Sequence, residues 1–140
     1  MELWVIYALA SAFFAALTSI LMKLGTQKLD SDIATFYRTI VVVFVSLGFV
    51  LYQKKPLSLE GVPGKEMLFV ALSAICTGLS WLAYFRAIQI GPVSQASVID
   101  KSSVLLIVLA GILFFGEPFT MKTGMGMGLI LVGMYVLFVK

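Results

Sequence analysis

Four charged side chains stand inside apolar stretches of this 140-residue chain: Arg38, Arg86, Asp100 and Lys101. A charge in hydrocarbon costs roughly 2.5–3.5 kcal/mol on insertion scales, so each needs a partner or a task. The basic three can hold an anionic ligand, and a carboxylate at membrane depth can form an ion pair or carry a proton. Little other chemistry is available. The chain has no His and one Cys, Cys76, which excludes a zinc set, His-based catalysis and an intrachain disulfide. With no nucleophile–base pair either, neither an enzyme nor a cofactor is expected.

The elements that hold these residues are transmembrane helices. Hydrophobic residues make up 61% of the chain and charged residues 12%, with a mean hydropathy of +1.06. Charge is depleted about twofold against a soluble domain. A water-soluble enzyme is thereby excluded, and so is a nucleic-acid binder. The pI near 9.1 comes from ten Lys and Arg against seven acids, with no basic cluster larger than Lys54-Lys55. Five apolar spans are predicted at about 3–22, 33–52, 67–90, 92–116 and 120–139, each near the roughly 20 residues that cross a bilayer as helix. The first lacks a basic n-region and is long enough to span, so it reads as a retained helix and not a signal peptide. Beta-barrel alternation is absent. The fold class is an all-α membrane protein, a five-helix bundle forming one domain over 1–140, in the cell (inner) membrane.

Ser31 or Asp32 is expected to cap the second helix, and Pro92 to open the fourth as its first helical residue. Pro56, Gly61, Pro63 and Gly64 break the Gln53–Glu66 loop. Five spans put the termini on opposite sides. Lys54, Lys55, Lys65 and Lys122 fall on one side; Lys23, Lys28, Lys140 and Arg86 fall on the other. With four basic residues on each, the positive-inside rule has almost nothing to act on. Insertion in both orientations is therefore acceptable, against the alternative of a weak bias set by Lys54, Lys55 and Lys65.

Counting the helical rise puts Asp100 about 12 Å inside Pro92, Arg38 about 8 Å inside Ile33 and Arg86 about 7 Å inside Gly91. All enter from one face. The tight Gly91-Pro92 turn brings Trp81 and Tyr84 to depths near Asp100 and Ser97. A polar pocket walled by Arg38, Trp81, Tyr84, Arg86, Ser97, Asp100 and Lys101 is the expectation. Its net positive charge and the start of the fourth helix favour an anionic group on the ligand. The structural alternatives are an Arg38–Asp100 ion pair, a snorkelling Arg86, and packing roles for Trp81 and Tyr84. Glu117 reads as a helix-terminal surface group and Cys76 as a small core residue. In the fifth span Gly124 and Gly128 line one face while Gly126 and Gly133 line the opposite one. Such faces suit close packing inside the chain and against a second copy. Ala8, Ala12, Ala16 and Ser19 form a comparable stripe in the first span.

The stretch 84–136 resembles the signature half of an EamA domain. It has an aromatic-rich end to the third span, a Gly91-Pro92 turn, a fourth helix closing in Gly116-Glu117, and a glycine-rich fifth helix from Gly126 to Gly133. The front half agrees, with small residues along the first span up to Lys23 and Arg38-Thr39 in the second. The similarity covers the whole chain and places it with the single-domain, five-span branch of the drug/metabolite transporter superfamily. Asp100-Lys101-Ser102 matches that branch better than the tandem ten-span members. The first span carries no acid, unlike the four-span multidrug relatives. The resemblance implies a secondary transporter working by alternating access. Because five spans open from one half form no sealed path, a homodimer is expected, antiparallel and of dual topology. The expected partners are a second copy of the chain, a small metabolite bearing an anionic group and the lipid bilayer, with no nucleic acid. A non-transporting subunit that docks a partner protein, or a translocator of a lipid-linked headgroup, are the alternative functions.

Overall fold

The computed structural model describes residues 2–138, and it is helical throughout its ordered elements. Six helices follow in order: α1 Leu3–Gly25, α2 Ser31–Tyr52, α3 Gly64–Ile90, α4 Val93–Asp100, α5 Ser103–Phe114 and α6 Met121–Phe138. Among the described residues α1, α2, α3 and the combined stretch Val93–Phe114 are long and apolar enough to cross a membrane, and α6 is a shorter apolar helix. An all-helical membrane protein with five apolar segments is therefore observed. The end of the expected fifth span, Val139 and Lys140, lies outside the described residues. Large side chains along the helices, such as Phe13, Phe44 and Phe69, are exposed in the chain, as lipid-facing positions must be.

Two compact units make up the chain, Met1–Gln89 and Ile90–Lys140. In the first, α1, α2 and α3 each turn one short face inward: Ser19, Lys23 and Thr26 of α1; Ser31, Thr35 and Arg38 of α2; Trp81, Phe85 and Ile88 of α3. Each face has the i, i+4, i+7 spacing of a helical stripe. Ser19, Thr26, Ser31, Thr35, Phe85 and Ile88 are buried. All of these lie at one end of the three helices, where α1 stops, α2 starts and α3 stops. The core is polar because lipid supplies no hydrophobic drive between helices, and association rests on packing and hydrogen bonds.

That end is a closed hydrogen-bond network. Lys23 Nζ donates to the carbonyls of Ile88 (2.7 Å) and Gln89 (3.1 Å), satisfying the orphan acceptors of the last turn of α3. Gln89 Nε2 donates to the carbonyls of Thr26 (3.1 Å) and Leu29 (3.0 Å), and its Oε1 accepts from the Ser31 N–H at 3.2 Å. Arg86 Nη1 pairs with Asp30 Oδ2 at 2.9 Å. Asp30, not Ser31 or Asp32, is the N-cap of α2: its backbone is extended and its carboxylate accepts from the Asp32 N–H at 2.9 Å. The helix begins at Ser31, two residues before the expected Ile33, which moves the cap back with it.

The second unit departs from the expected continuous fourth helix over 92–116. Pro92 is the N-cap of α4, with Val93 as its first residue, and the helix is interrupted after Asp100. There the N–H groups of Ser102, Val104 and Leu105 bond to carbonyls three residues back, at Ile99 (2.9 Å), Lys101 (3.1 Å) and Ser102 (3.0 Å). Ser103 Oγ donates to the Asp100 carbonyl at 2.8 Å. Within the polar run Asp100-Lys101-Ser102-Ser103, the Ser103 hydroxyl competes for a backbone carbonyl, which goes with the tightened turn. Gly116 reverses the chain at φ +68°, and the Glu117 side chain folds back over buried Gly111, where an added Cβ would stand 2.6 Å from Oε2. Gly124 is covered by Phe119, whereas Gly126, Gly128 and Gly133 have open space beside them.

Gln89→Leu is expected to destabilise the first unit by about 1–3 kcal/mol, because three backbone groups lose their partner. Thermal unfolding of the detergent-solubilised chain measures it. The Asp32 N–H, with smaller help from Ile33 and Arg86, holds the Asp30 carboxyl below its usual range. A depressed carboxyl adds stability above the ordinary carboxylate range and loses it as pH falls through the depressed value. Asp30→Asn should therefore unfold at a lower temperature than wild type at pH 7, and the gap should narrow at strongly acidic pH.

Candidate functional site

Arg38 sits about two turns into α2, on the same face as Ser31 and Thr35. The guanidinium carbon lies 4.2 Å from the centre of the Trp81 ring and 4.7 Å from that of Phe85. These aromatics are four residues apart on α3 and so share a face. Two ring faces offer a cation a weakly polar seat in place of water. They do not accept all its hydrogen bonds: Arg38 Nη1 is buried with no hydrogen-bond partner among the described residues. A buried donor left without an acceptor is costly, and a guanidinium donor more so.

Trp81 has a second role as the wall of a groove between α2 and α3. The groove encloses about 620 Å³ and is lined by Thr35, Phe36 and Thr39 of α2 and Ala74, Thr77 and Trp81 of α3, with Asp32 at the start of α2. Its walls are mostly apolar despite the threonines. Thr35, Thr39 and Thr77 each turn their hydroxyl proton to the carbonyl four residues back, at 2.6, 2.7 and 2.9 Å. From Val70 to Leu82 the α3 wall runs about 18 Å along the helix axis.

Of the residues expected at a pocket, Arg38, Trp81, Tyr84 and Arg86 belong to the first unit and Ser97, Asp100 and Lys101 to the second. Arg38 and Trp81 meet. Tyr84 hydrogen-bonds Ser19 Oγ at 2.8 Å, tying α3 to α1. Arg86 is half exposed and paired with Asp30, outside the groove. Asp100 pairs with its neighbour Lys101 at 3.2 Å beside the helix interruption, and Ser97 contributes its carbonyl to the Lys101 N–H at 3.1 Å. Phe85, Asp30, Gln89 and Ser19 were not singled out as polar-site partners. The signal for Phe85 was its i+4 spacing from Trp81. For Ser19 it was its place at the end of the small stripe of α1. Cys76 is exposed, not a core residue.

An aromatic-clamped guanidinium beside an open groove, set among lipid-facing helices, defines a multi-pass membrane protein with an internal polar site. The chain belongs to the EamA-like transporter family, whose model matches residues 2–139. It is 38% identical over 136 residues to an uncharacterized transporter in the cobO 3'region of Sinorhizobium sp, covering 97% of this chain and 96% of that protein. It is 28% identical over 98 residues to a probable 4-amino-4-deoxy-L-arabinose-phosphoundecaprenol flippase subunit, ArnE, of Hamiltonella defensa, covering 69% of this chain and 88% of that protein. No solved structure matches it. It is a transporter-family protein of the cell (inner) membrane.

A double-mutant cycle on Arg38→Met and Trp81→Leu should give a coupling of about 0.5–2 kcal/mol, the worth of a desolvated cation–π contact. Unfolding of the four proteins in one detergent measures it.

Proposed function

We propose that this transporter moves an amphipathic anion: an anionic headgroup held by Arg38, with its hydrocarbon chain lying along the α2–α3 groove. The observation that carries the reading is the buried Arg38 Nη1, which lacks an acceptor immediately beside Trp81, itself part of the groove wall. An anion supplies the missing acceptor. An apolar groove open along its length accommodates the tail that a water-soluble metabolite lacks. The similarity to ArnE, a probable flippase subunit for a phosphoundecaprenol-linked sugar, points the same way. The small anionic metabolite expected from sequence keeps the same headgroup contact but leaves the groove unused.

Within this reading Trp81 walls the site, and Asp100 with Lys101 forms an ion pair whose opening couples transport to a proton or an exchanged substrate. Ser97, Tyr84 and Arg86 support the path. Alternating access is completed by a second copy, antiparallel and of dual topology. Three features support self-pairing: the open faces of α6 at Gly126, Gly128 and Gly133, the balanced basic residues, and the need for a second half-path.

Proteoliposomes of the full chain should translocate a fluorescent polyprenyl phosphate, with Arg38→Gln slowing it at least about tenfold, the cost of one charge-assisted contact. Uptake of water-soluble anions with no movement of the lipid would favour the metabolite reading. In a Cys76→Ala background, a single cysteine placed in the Gln53–Glu66 loop should be labelled from both membrane faces. Labelling from one face alone would require a parallel or heteromeric assembly, as for a docking subunit.

A further inference from the structure

One charge lines the groove and a second stands beside its Trp81 wall. Arg38 flanks Trp81, and Asp32 lines the groove at the start of α2. Asp32 differs from its neighbour Asp30 in what compensates it. Among the described residues the ion pairs are Arg86–Asp30 and Lys101–Asp100, so Asp32 has none. The cations at that end of the first unit are already committed: Arg86 to Asp30 and Gln89, and Lys23 to the last carbonyls of α3. The Asp32 carboxylate accepts one long contact from Ser31 Oγ at 3.3 Å, and the rest of its acceptor capacity is open.

Thr39 and Thr77 strengthen the pattern. With their protons given to their own helices, their hydroxyl oxygens can only accept from a ligand. Arg38 is thus the cationic donor beside a groove whose threonine and carboxylate oxygens are acceptors, with the Ser73 hydroxyl and the Trp81 indole N–H as its neutral donors. A ligand that is only an anion satisfies Arg38 and is repelled by Asp32. A ligand with an anion and a donor-bearing cation satisfies both.

We propose that Asp32 binds an ammonium group on the substrate's headgroup, so that the site selects a zwitterionic amphiphile with its anion at Arg38. This inference rests on the amphipathic-anion reading and names the headgroup class. Asp32 and Arg38 are six residues apart, about 9 Å along α2 and about 120° around its axis, so the substrate's amine and phosphate must reach them through the length of both side chains. Asp32 also lies at the end of the helix nearest water, where an entering ammonium is met first. Arg38 then takes the anion deeper in.

The test uses Trp81 as its own reporter. In the full chain carrying Trp4→Phe, Trp81 is the single tryptophan. Its fluorescence is titrated with dioctanoyl phosphatidylethanolamine and with the N-acetylated derivative, which keeps phosphate and tails but has no ammonium. The amine form should bind about tenfold more tightly, as expected for one charge-assisted contact. Asp32→Asn should bring the two within about twofold, and Asp32→Glu should keep the preference. Asp32 is exposed, so these variants leave the buried network intact. Equal binding of both lipids that is still weakened by Arg38→Gln overturns the ammonium site while leaving the amphipathic-anion reading standing. Binding of neither lipid, or binding indifferent to Arg38→Gln, overturns both.

Discussion

A guanidinium that leaves water must find something else to face, and the first unit is organised by that requirement at Arg38. The solution is two aromatic faces from one neighbouring helix. Cation–π contacts are worth about 2 kcal/mol when desolvated, comparable to the cost of placing the charge in the membrane. They neutralise part of the penalty without consuming the donors, which ring faces cannot all accept. An ion pair with a carboxylate would have closed the site, because an oxygen pair fills the guanidinium fork. Stacking on Trp81 and Phe85 instead keeps the cation seated with a donor in reserve. The binding role proposed for Arg38 needs that combination.

The hydrogen-bond network at the same end makes the seat rigid. Lys23, Gln89 and Arg86 join the end of α3 to the end of α1 and the start of α2 through backbone carbonyls and one carboxylate. Every one of these contacts lies within three turns of Arg38, Trp81 or Phe85 along its own helix. Toward the other end of α1, α2 and α3 the residues are exposed, and no side-chain network is found there among the described residues. Packing is therefore graded along the helices: fixed where the guanidinium is seated, loose where the groove runs on between α2 and α3. Such a gradient suits a protein that must keep binding geometry while its helices separate.

The fold was legible because the bilayer leaves few options. Long uncharged runs in a chain with 12% charge can only be helices, and Gly91-Pro92, Pro56 and Pro63 mark where they stop. The interruption at Asp100 was harder to read. A hydropathy run sees Val93–Phe114 as one span, whereas the i−3 bonding goes with the Ser103 hydroxyl taking the Asp100 carbonyl at the start of α5. Depth arithmetic brought Arg38 and Trp81 to one level because helical rise fixes depth, and the two are in contact. It missed partner choice. Arg86 prefers Asp30, two residues before the acid that sits in the groove, and Asp100 takes the lysine next to it. Those pairings depend on side-chain direction around each helix, which depth does not supply.

The threonines of the groove show how composition can mislead about chemistry. Thr35, Thr39 and Thr77 suggest a hydrophilic surface, yet each hydroxyl proton is returned to the carbonyl one turn earlier. In water that habit has little consequence, since the hydroxyl remains solvated. In lipid it satisfies the donor and leaves a wall of methyl groups with isolated acceptors between them. The groove is therefore apolar enough for a hydrocarbon chain and still able to receive a donor. A wall of valines would hold the chain equally well but discriminate nothing about the headgroup. A wall of serines with free protons would satisfy an anion anywhere along its length and so weaken the claim of Arg38 on it. On the proposed reading, threonine lets one surface follow the tail while the charges at Asp32 and Arg38 fix the head.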